Sequence, residues 1–231
     1  MKKALAVLLL LACAAGAFAL TERGLVAEAD SHYRAGNFLQ AYDAYTELVS
    51  KFPLSDQVPD AQYRRAVSLV RLGRYGEALE LFGRIERSFR STRYFPYVPF
   101  WQGTLLLRLE QYDRAAAAFG VFLAGSRDPE LVPQALLSRA QAALAMGDAG
   151  TAGRDLERLV AEHPGSEAGS RGAVLLAFTY LRQARASEVL ALAERIPADS
   201  LPEASRSLYL SLIHISEPTR LLSISYAVFC L

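Results

Sequence analysis

The chain has 231 residues, of which 52% are hydrophobic and 21% are charged. Its 25 Lys and Arg nearly balance its 24 Asp and Glu, so the formal net charge is +1. These values argue against a disordered tail and against a dedicated nucleic-acid-binding protein. We therefore expect one or two globular domains, with no nucleic-acid partner.

The N-terminus has the pattern of a signal peptide over residues 1–19. Lys2 and Lys3 precede an apolar run that is shorter than the roughly 20 residues needed to span a bilayer, and Ala17-Phe18-Ala19 forms a small-x-small cleavage site. We expect cleavage after Ala19 and export to the periplasm or the medium. In the alternative, the lipobox-like residues before Cys13 make the chain a lipoprotein, and only this lipidation would give it a membrane partner.

An internal period of 37 residues follows the signal peptide. The segment 33–41 recurs in phase at 70–78, 107–115, 144–152 and 181–189. A small residue that allows close helix packing recurs in the first helix of each repeat: Ala29, Ala66, Gly103, Ala140 and Ala177. Seven residues further on, glycine marks the predicted end of that helix at Gly36, Gly73 and Gly147.

A second helix is predicted after each turn. Its apolar residues are spaced 3, 4 and 3 apart, which places them on one helical face, as in Phe38, Ala41, Tyr45 and Leu48. Proline then closes two of the repeats, at Pro53 and Pro164, because it cannot continue a helix. No single repeat can bury its stripe alone, so neighbouring repeats must stack into one elongated domain over residues 20–210.

These columns resemble the tetratricopeptide repeat family, with Glu110 as a departure where the turn glycine is expected. The longer period is similar to repeats of bacterial envelope proteins, such as the lipoprotein of the outer-membrane β-barrel assembly machinery and the periplasmic partner of the Tol-Pal system. The resemblance implies an all-α fold: a right-handed superhelical solenoid of about five antiparallel helix pairs. It also implies a concave groove lined by the first helices.

The sequence changes character after Leu210. Residues 201–210 are predicted to begin the first helix of a sixth repeat, but Pro218 falls where its interior is expected. The alternation of Ile213, Ile215 and later apolar residues is typical of a strand. Residues 211–231 resemble a translated sequencing adapter, so we expect a non-native tail; the alternative is a divergent capping segment.

No catalytic motif is recognisable between residues 20 and 210. His32 and His163 have no second His or Cys at metal-ligand spacing, so we expect neither a metal nor another cofactor. Acidic residues such as Asp155 and Glu157 are predicted on exposed, solvated helix positions. We therefore expect a protein that is not an enzyme.

Two features favour a partner-binding surface. The column before each inter-helix turn carries arginine in four repeats, at Arg34, Arg71, Arg108 and Arg182. The resemblance places this column in the concave groove, where guanidinium groups pair with carboxylates of a bound peptide. In the alternative, these cations only stabilise the C-terminal ends of their helices.

The second feature is a set of aromatic residues that align with the groove columns: Tyr63, Tyr97, Phe100 and Phe178. Aromatic side chains near arginines are typical of interface hot spots. In the alternative, the aromatic run that holds Phe95 and Trp101 fills the gap between the second and third repeats.

The expected function is an exported scaffold that binds a protein or peptide in its concave groove, in the bacterial periplasm or cell envelope. The alternative is the helical accessory region of a truncated cell-wall enzyme, similar to a lytic transglycosylase, whose catalytic domain is missing. The native coding sequence beyond Leu210 would distinguish the scaffold from the truncated enzyme.

Overall fold

The computed structural model describes residues 22–90, 92–126 and 128–216. Within these ranges the chain forms helices, turns and short connections, with no residue in a strand, so the all-α fold is confirmed. The predicted signal peptide, Cys13 and residues 217–231 lie outside the described residues. Two compact units meet in sequence between Leu109 and Glu110, and we call them the N-terminal and C-terminal units.

The N-terminal unit contains five α-helices in its described part. They are α1 (22–34), α2 (Phe38–Lys51), α3 (Val58–Arg71), α4 (Tyr75–Ser88) and α5 (Val98–Arg108), with a 3₁₀ turn at Phe95–Tyr97 before α5. Helix α3 packs against both α2 and α4, and α4 packs against α5. We call the odd-numbered helices A helices and the even-numbered ones B helices.

The C-terminal unit continues the alternation through its described part. Its helices are α6 (Tyr112–Gly125), α7 (Leu131–Ala145), α8 (Ala149–Glu162), α9 (Glu167–Arg182), α10 (Ala186–Arg195) and α11 (Glu203–Ser216), with a 3₁₀ turn at Ala198–Ser200. Each helix packs against the next one, and α9 also contacts the A helices α7 and α11. Among the described residues, no helix is both long enough and apolar enough to cross a membrane.

The predicted turn column has a left-handed backbone in each repeat. Its φ angles are 77° at Gly36, 74° at Gly73, 58° at Glu110, 80° at Gly147 and 58° at Ala184. In the first repeat the N–H of Asn37 donates to the carbonyl of His32 at 2.9 Å, a bond that closes the helix end. Glu110 and Ala184 adopt this conformation without being glycine, which costs about 1 kcal/mol each.

The predicted packing columns are buried. The small-residue column is inaccessible to solvent at Ala29, Ala66, Ala140 and Ala177, and Gly103 is buried as well. On the B helices, the second and third positions of the stripe are buried in the first three repeats, for example Ala41 and Tyr45. These columns form the core at the A–B contacts, as the period predicts.

The prediction of a solvated face is wrong for Asp155. Its side chain is only 5% exposed and accepts two hydrogen bonds from Arg139, from Nε at 2.6 Å and from Nη2 at 2.5 Å. Glu157 accepts a hydrogen bond from the hydroxyl of Tyr180 at 2.7 Å. The two acidic residues therefore connect α8 to its neighbours α7 and α9.

The strand-like prediction for Ile213 and Ile215 is also wrong. Helix α11 starts at Glu203, close to the predicted position, and runs without interruption through Leu210 to Ser216. Tyr209, Leu212 and Ser216 are buried at spacings of 3 and 4. A helical period therefore governs this segment, and the alternating isoleucines lie on two sides of a helix.

Candidate interaction surfaces

In the N-terminal unit an open depression of ≈ 380 Å³, which we call the tyrosine cavity, lies between the A helices α1 and α3. It is lined by Asp30, Tyr33, Arg34, Tyr63, Arg64 and Tyr94. These residues come from α1, α3 and the connection that follows α4. The cavity therefore combines aromatic rings with charges of both signs.

The charges at this cavity are mostly paired within the protein. Arg64 Nη1 lies 2.5 Å from Asp30 Oδ1, which also accepts a hydrogen bond from the Tyr45 hydroxyl at 2.7 Å. At its edge Arg93 forms an ion pair with Asp60, and its guanidinium lies 4.8 Å from the centroid of the Tyr94 ring. Most of the charged groups at this surface therefore already have partners inside the unit.

The aromatic groups of the cavity are also engaged. The Tyr63 ring stacks on Tyr94 with centroids 4.3 Å apart, and its hydroxyl accepts a hydrogen bond from Trp101 Nε1 at 2.7 Å. Burial raises the pKa of Tyr63 to about 12. Trp101 in turn stacks on the buried Phe82 at 6.2 Å, so it fills the core between the second and third repeats.

The predicted site residues of this unit divide into three groups. Arg34, Arg71 and Arg108 are exposed at the C-terminal ends of α1, α3 and α5, and only Arg34 lines the tyrosine cavity. Tyr63 and Tyr97 are half-buried. The prediction that Phe100 lies at a binding surface is corrected, because the residue is only 6% exposed and packs in the core. Its ring centroid lies 5.7 Å from that of Trp101.

The C-terminal unit has a different surface between its A helices, which we call the apolar groove. It is an open groove of ≈ 300 Å³ between α7, α9 and α11. Its lining residues are Leu137, Gln141, Arg171, Val174, Leu175, Phe178, Ala204, Ser205, Leu208 and Leu212. Two large apolar side chains remain open to solvent there, Phe178 at 43% exposure and Leu208 at 56%.

Two arginines flank the apolar groove along α9. Arg171 lines the groove near the start of the helix, and Arg182 ends the helix with its guanidinium 5.9 Å from the centroid of the Phe178 ring. Both are exposed, and neither forms an ion pair with an acidic side chain in the described part of the chain. The predicted residues Phe178 and Arg182 thus lie together at an open surface.

Comparison with known families decides the class of protein. Two matches to the tetratricopeptide repeat profile, at residues 26–91 and 102–167, cover more than half of the chain. The chain belongs to the tetratricopeptide repeat family. No curated protein matches its sequence.

Several solved structures share the fold of this tetratricopeptide protein at low sequence identity. MamA 41-end from Desulfovibrio magneticus RS-1 has a TM-score of 0.63 at 16% identity, covering 76% of this chain and 92% of that one. A tetratricopeptide repeat protein from Parabacteroides merdae has a TM-score of 0.63 at 14% identity, covering 91% of this chain and 80% of that one. A putative kinesin light chain with TPR-like repeats from Podosopora anserina has a TM-score of 0.58 at 18% identity, covering 76% of this chain and 92% of that one.

The tetratricopeptide period could have revealed groove residues that the sequence analysis missed. Val174 lies three periods after Tyr63 and one period after Leu137, so all three occupy the same A-helix column. Arg171 likewise follows Tyr97 by two periods. Leu208 follows Arg171 by one further period, so the same column continues into α11.

In the described part of this tetratricopeptide protein, the titratable side chains form no candidate metal site. Across residues 22–90, 92–126 and 128–216, no group of three or more His, Cys, Asp or Glu side chains could hold a metal ion. His163 lies beside Glu162 at the end of α8, and His32 is half-buried on α1. The tyrosine cavity and the apolar groove are the candidate interaction surfaces.

Proposed function

We propose that this chain is an exported tetratricopeptide scaffold that binds a protein partner at the apolar groove, in the periplasm or cell envelope of a bacterium. The observation that carries the proposal is the exposure of Phe178 and Leu208 in a groove flanked by Arg171 and Arg182, which form no ion pair with an acidic side chain among the described residues. Aromatic and arginine side chains contribute most of the binding energy at protein interfaces. A partner that covers the groove removes this apolar surface from water.

The tyrosine cavity supports a secondary contact at most. Its Asp30–Arg64 and Asp60–Arg93 pairs would have to be broken or desolvated before a partner could use those charges. Arg34 and Arg71 remain exposed and could extend an interface, as the arginine column predicts. We therefore place the main contact in the C-terminal unit.

A pull-down from envelope extract tests the binding surface. The bait is the tagged full chain, compared with a Phe178→Ser/Leu208→Ser variant. Val121→Ser serves as the matched control, because Val121 is 64% exposed on the B helix α6, outside the groove. We expect the double variant to lose the captured protein and the control to retain it. Unchanged recovery by the double variant would contradict the proposal.

A second bait, Arg71→Glu/Arg108→Glu, tests the arginine column of the N-terminal unit. We expect at most a modest reduction in recovery, because these residues lie outside the apolar groove. A complete loss of the partner here, with normal recovery by the groove variant, would move the binding site to the N-terminal unit.

The proposed location rests on the N-terminal pattern, with cleavage after Ala19. Intact-mass analysis of the chain recovered from a periplasmic fraction measures the mature N-terminus directly. We expect a mass that starts at Leu20. A diacylated or triacylated N-terminal Cys13 would instead establish the lipoprotein alternative, and an uncleaved Met1 in the cytosol would contradict export.

A further inference from the structure

The tyrosine cavity has polar atoms that its internal hydrogen bonds do not use. The Oδ1 atom of Asp30 accepts hydrogen bonds from Tyr45 and Arg64, whereas Oδ2 accepts none from the described residues. The hydroxyl of Tyr33 has no hydrogen-bond partner in the same part of the chain, although its ring lines the cavity. A ligand can therefore both donate and accept hydrogen bonds here.

Arg34 adds a donor to these two groups. Its Nε donates to the carbonyl of Asp30 at 3.2 Å, and the exposed guanidinium forms no ion pair within the described ranges. Asp30, Tyr33 and Arg34 are spaced 3 and 4 apart from Asp30 on α1, so they share one helical face. We propose that the tyrosine cavity binds a small neutral saccharide through this face of α1.

The mixture of charges favours hydroxyl groups over charged ones. A carboxylate on the ligand would pair with Arg34 but would be repelled by Asp30 Oδ2, and a cation would meet Arg34 and Arg64. A sugar hydroxyl donates to Asp30 and accepts from Arg34 without adding charge. The ion pair between Asp30 and Arg64 stays intact, so the ligand does not have to break it.

The tyrosine rings disfavour a planar aromatic ligand. Tyr63 and Tyr94 stack on each other with centroids 4.3 Å apart. The guanidinium of Arg93 lies 4.8 Å from the Tyr94 centroid. That of Arg64 lies 5.7 Å from the Tyr33 centroid. Each ring therefore already has a stacking or cation–π partner that an aromatic ligand would have to displace. A saccharide instead contacts ring edges and hydroxyl groups.

The size of the cavity suits one or two sugar rings. Its ≈ 380 Å³ lies near the lower end of the roughly 300–1,000 Å³ found in small-molecule sites. Because the depression is open, a bound sugar keeps much of its surface in water, and we expect a Kd on the order of 1 mM. Every group involved belongs to the N-terminal unit, so the inference goes beyond the proposed function and does not rest on it.

Saturation-transfer NMR with the full chain tests the inference. The probes are cellobiose, its permethylated derivative, which keeps the oxygen acceptors but has no hydroxyl donor, and N-acetyl-triglycine amide as a neutral amide. We expect saturation transfer to cellobiose and none to the other two. No transfer to cellobiose at about 10 mM, or equal transfer to either comparison probe, would overturn the inference.

A tyrosine variant locates the bound sugar. Tyr33→Phe removes the free hydroxyl and keeps the ring, so we expect cellobiose binding about three- to tenfold weaker. The matched control is Tyr75→Phe, because Tyr75 is also half-buried but lies on the B helix α4, outside the cavity. This control should bind cellobiose as the parent does. Equal weakening in both variants, or in neither, would contradict the proposed site.

An arginine variant tests the donor of the same face. Arg34→Gln should weaken cellobiose binding by a similar factor, whereas Arg87→Gln makes the same change in net charge at an exposed position of α4 and should have no effect. Equal binding by these two variants would contradict a direct contact with Arg34. Circular dichroism of each variant confirms that its helix content is unchanged.

Tryptophan fluorescence provides an independent measure of where the sugar binds. Trp101 is the single tryptophan of the chain, and its Nε1 donates to the Tyr63 hydroxyl at 2.7 Å, at the wall of the cavity. Cellobiose should therefore change the Trp101 emission with the midpoint seen by NMR. Saturation transfer without any change in emission would place the sugar elsewhere and contradict the inference.

Discussion

The same A-helix columns carry opposite chemistry in the two units. The N-terminal unit has Asp30, Tyr63 and Arg64, and whole multiples of 37 residues lead to Phe178, Val174 and Leu175 in the C-terminal unit. In the first set the side chains hydrogen-bond and pair within the unit. In the second set they leave an open apolar groove. The repeat therefore fixes where a side chain lies, while its chemistry decides whether that surface is available.

The largest effect is expected for the Arg139–Asp155 ion pair of the C-terminal unit, whose carboxylate occupies a buried helix position. Arg139→Ala leaves the carboxylate of Asp155 buried without a cation, so we expect about 3 kcal/mol of lost stability in urea unfolding. Arg158→Ala is the control, because its pair with Glu162 is exposed and should cost less than about 0.5 kcal/mol. The double variant Arg139→Met/Asp155→Leu is expected to regain most of the stability lost in Arg139→Ala. Equal losses of stability in Arg139→Ala and Arg158→Ala would contradict burial of the pair.

A smaller effect is expected for the polar aromatic network of the N-terminal unit. Tyr63→Phe removes the acceptor of the Trp101 N–H and should cost about 1 kcal/mol at neutral pH. Burial raises the pKa of Tyr63 to about 12 from its ordinary 10.0. The neutral tyrosine is thus favoured in the folded state, so its contribution is complete below pH 10 and is lost as pH rises toward 12.

Urea unfolding at pH 8 and at several values up to pH 11 measures this dependence. The Tyr63→Phe variant should lose less stability than the parent over that range. Tyr180→Phe is the comparison in the C-terminal unit, where burial also raises the pKa to about 12. If Tyr63→Phe keeps the full alkaline loss, the Tyr63 hydroxyl titrates as an exposed group.

Two substitutions in the turn column are expected to change the free energy of unfolding by about 0.5–1 kcal/mol, with opposite signs. Ala184→Gly should stabilise the chain, since glycine adopts the left-handed φ of 58° without a Cβ penalty. Gly147→Ala should destabilise it, although an added Cβ there would meet no atom within 4 Å. Thermal unfolding of the two variants checks this pair, and the same sign for both would contradict a backbone origin.

The smallest effect concerns the arginine column. Arg71→Ala removes a cation from the C-terminal end of α3 and should cost about 0.3 kcal/mol through the helix dipole alone. High salt should abolish this difference, because the residue is exposed. A loss above about 1 kcal/mol would indicate a structural contact that the helix-dipole interpretation does not include.

The sequence predicted the helix pairs, the turn conformation and the buried small-residue column, because each depends on a residue type that recurs at a fixed spacing. It missed the burial of Asp155, although that residue shares a column with Ala44, Leu81 and Leu192. The partner Arg139 lies on another helix, and no local pattern marks a pairing between helices. Phe178 and Arg182 were predicted at an interaction surface and lie together in the structure. Their role, like the right-handed superhelix, stays a prediction.

The closed turns also bear on how the protein is made. The A helices α1, α3, α7 and α9 end in the same backbone bond, as in the bond from the Asn37 N–H to the His32 carbonyl. A hairpin of about 30 residues thus contains all the groups that its turn requires. Contacts between sequence neighbours form quickly, because little chain entropy is lost in closing them. The turn of the first hairpin therefore needs no later repeat, whereas burial of its apolar stripe requires the next repeat to stack on it.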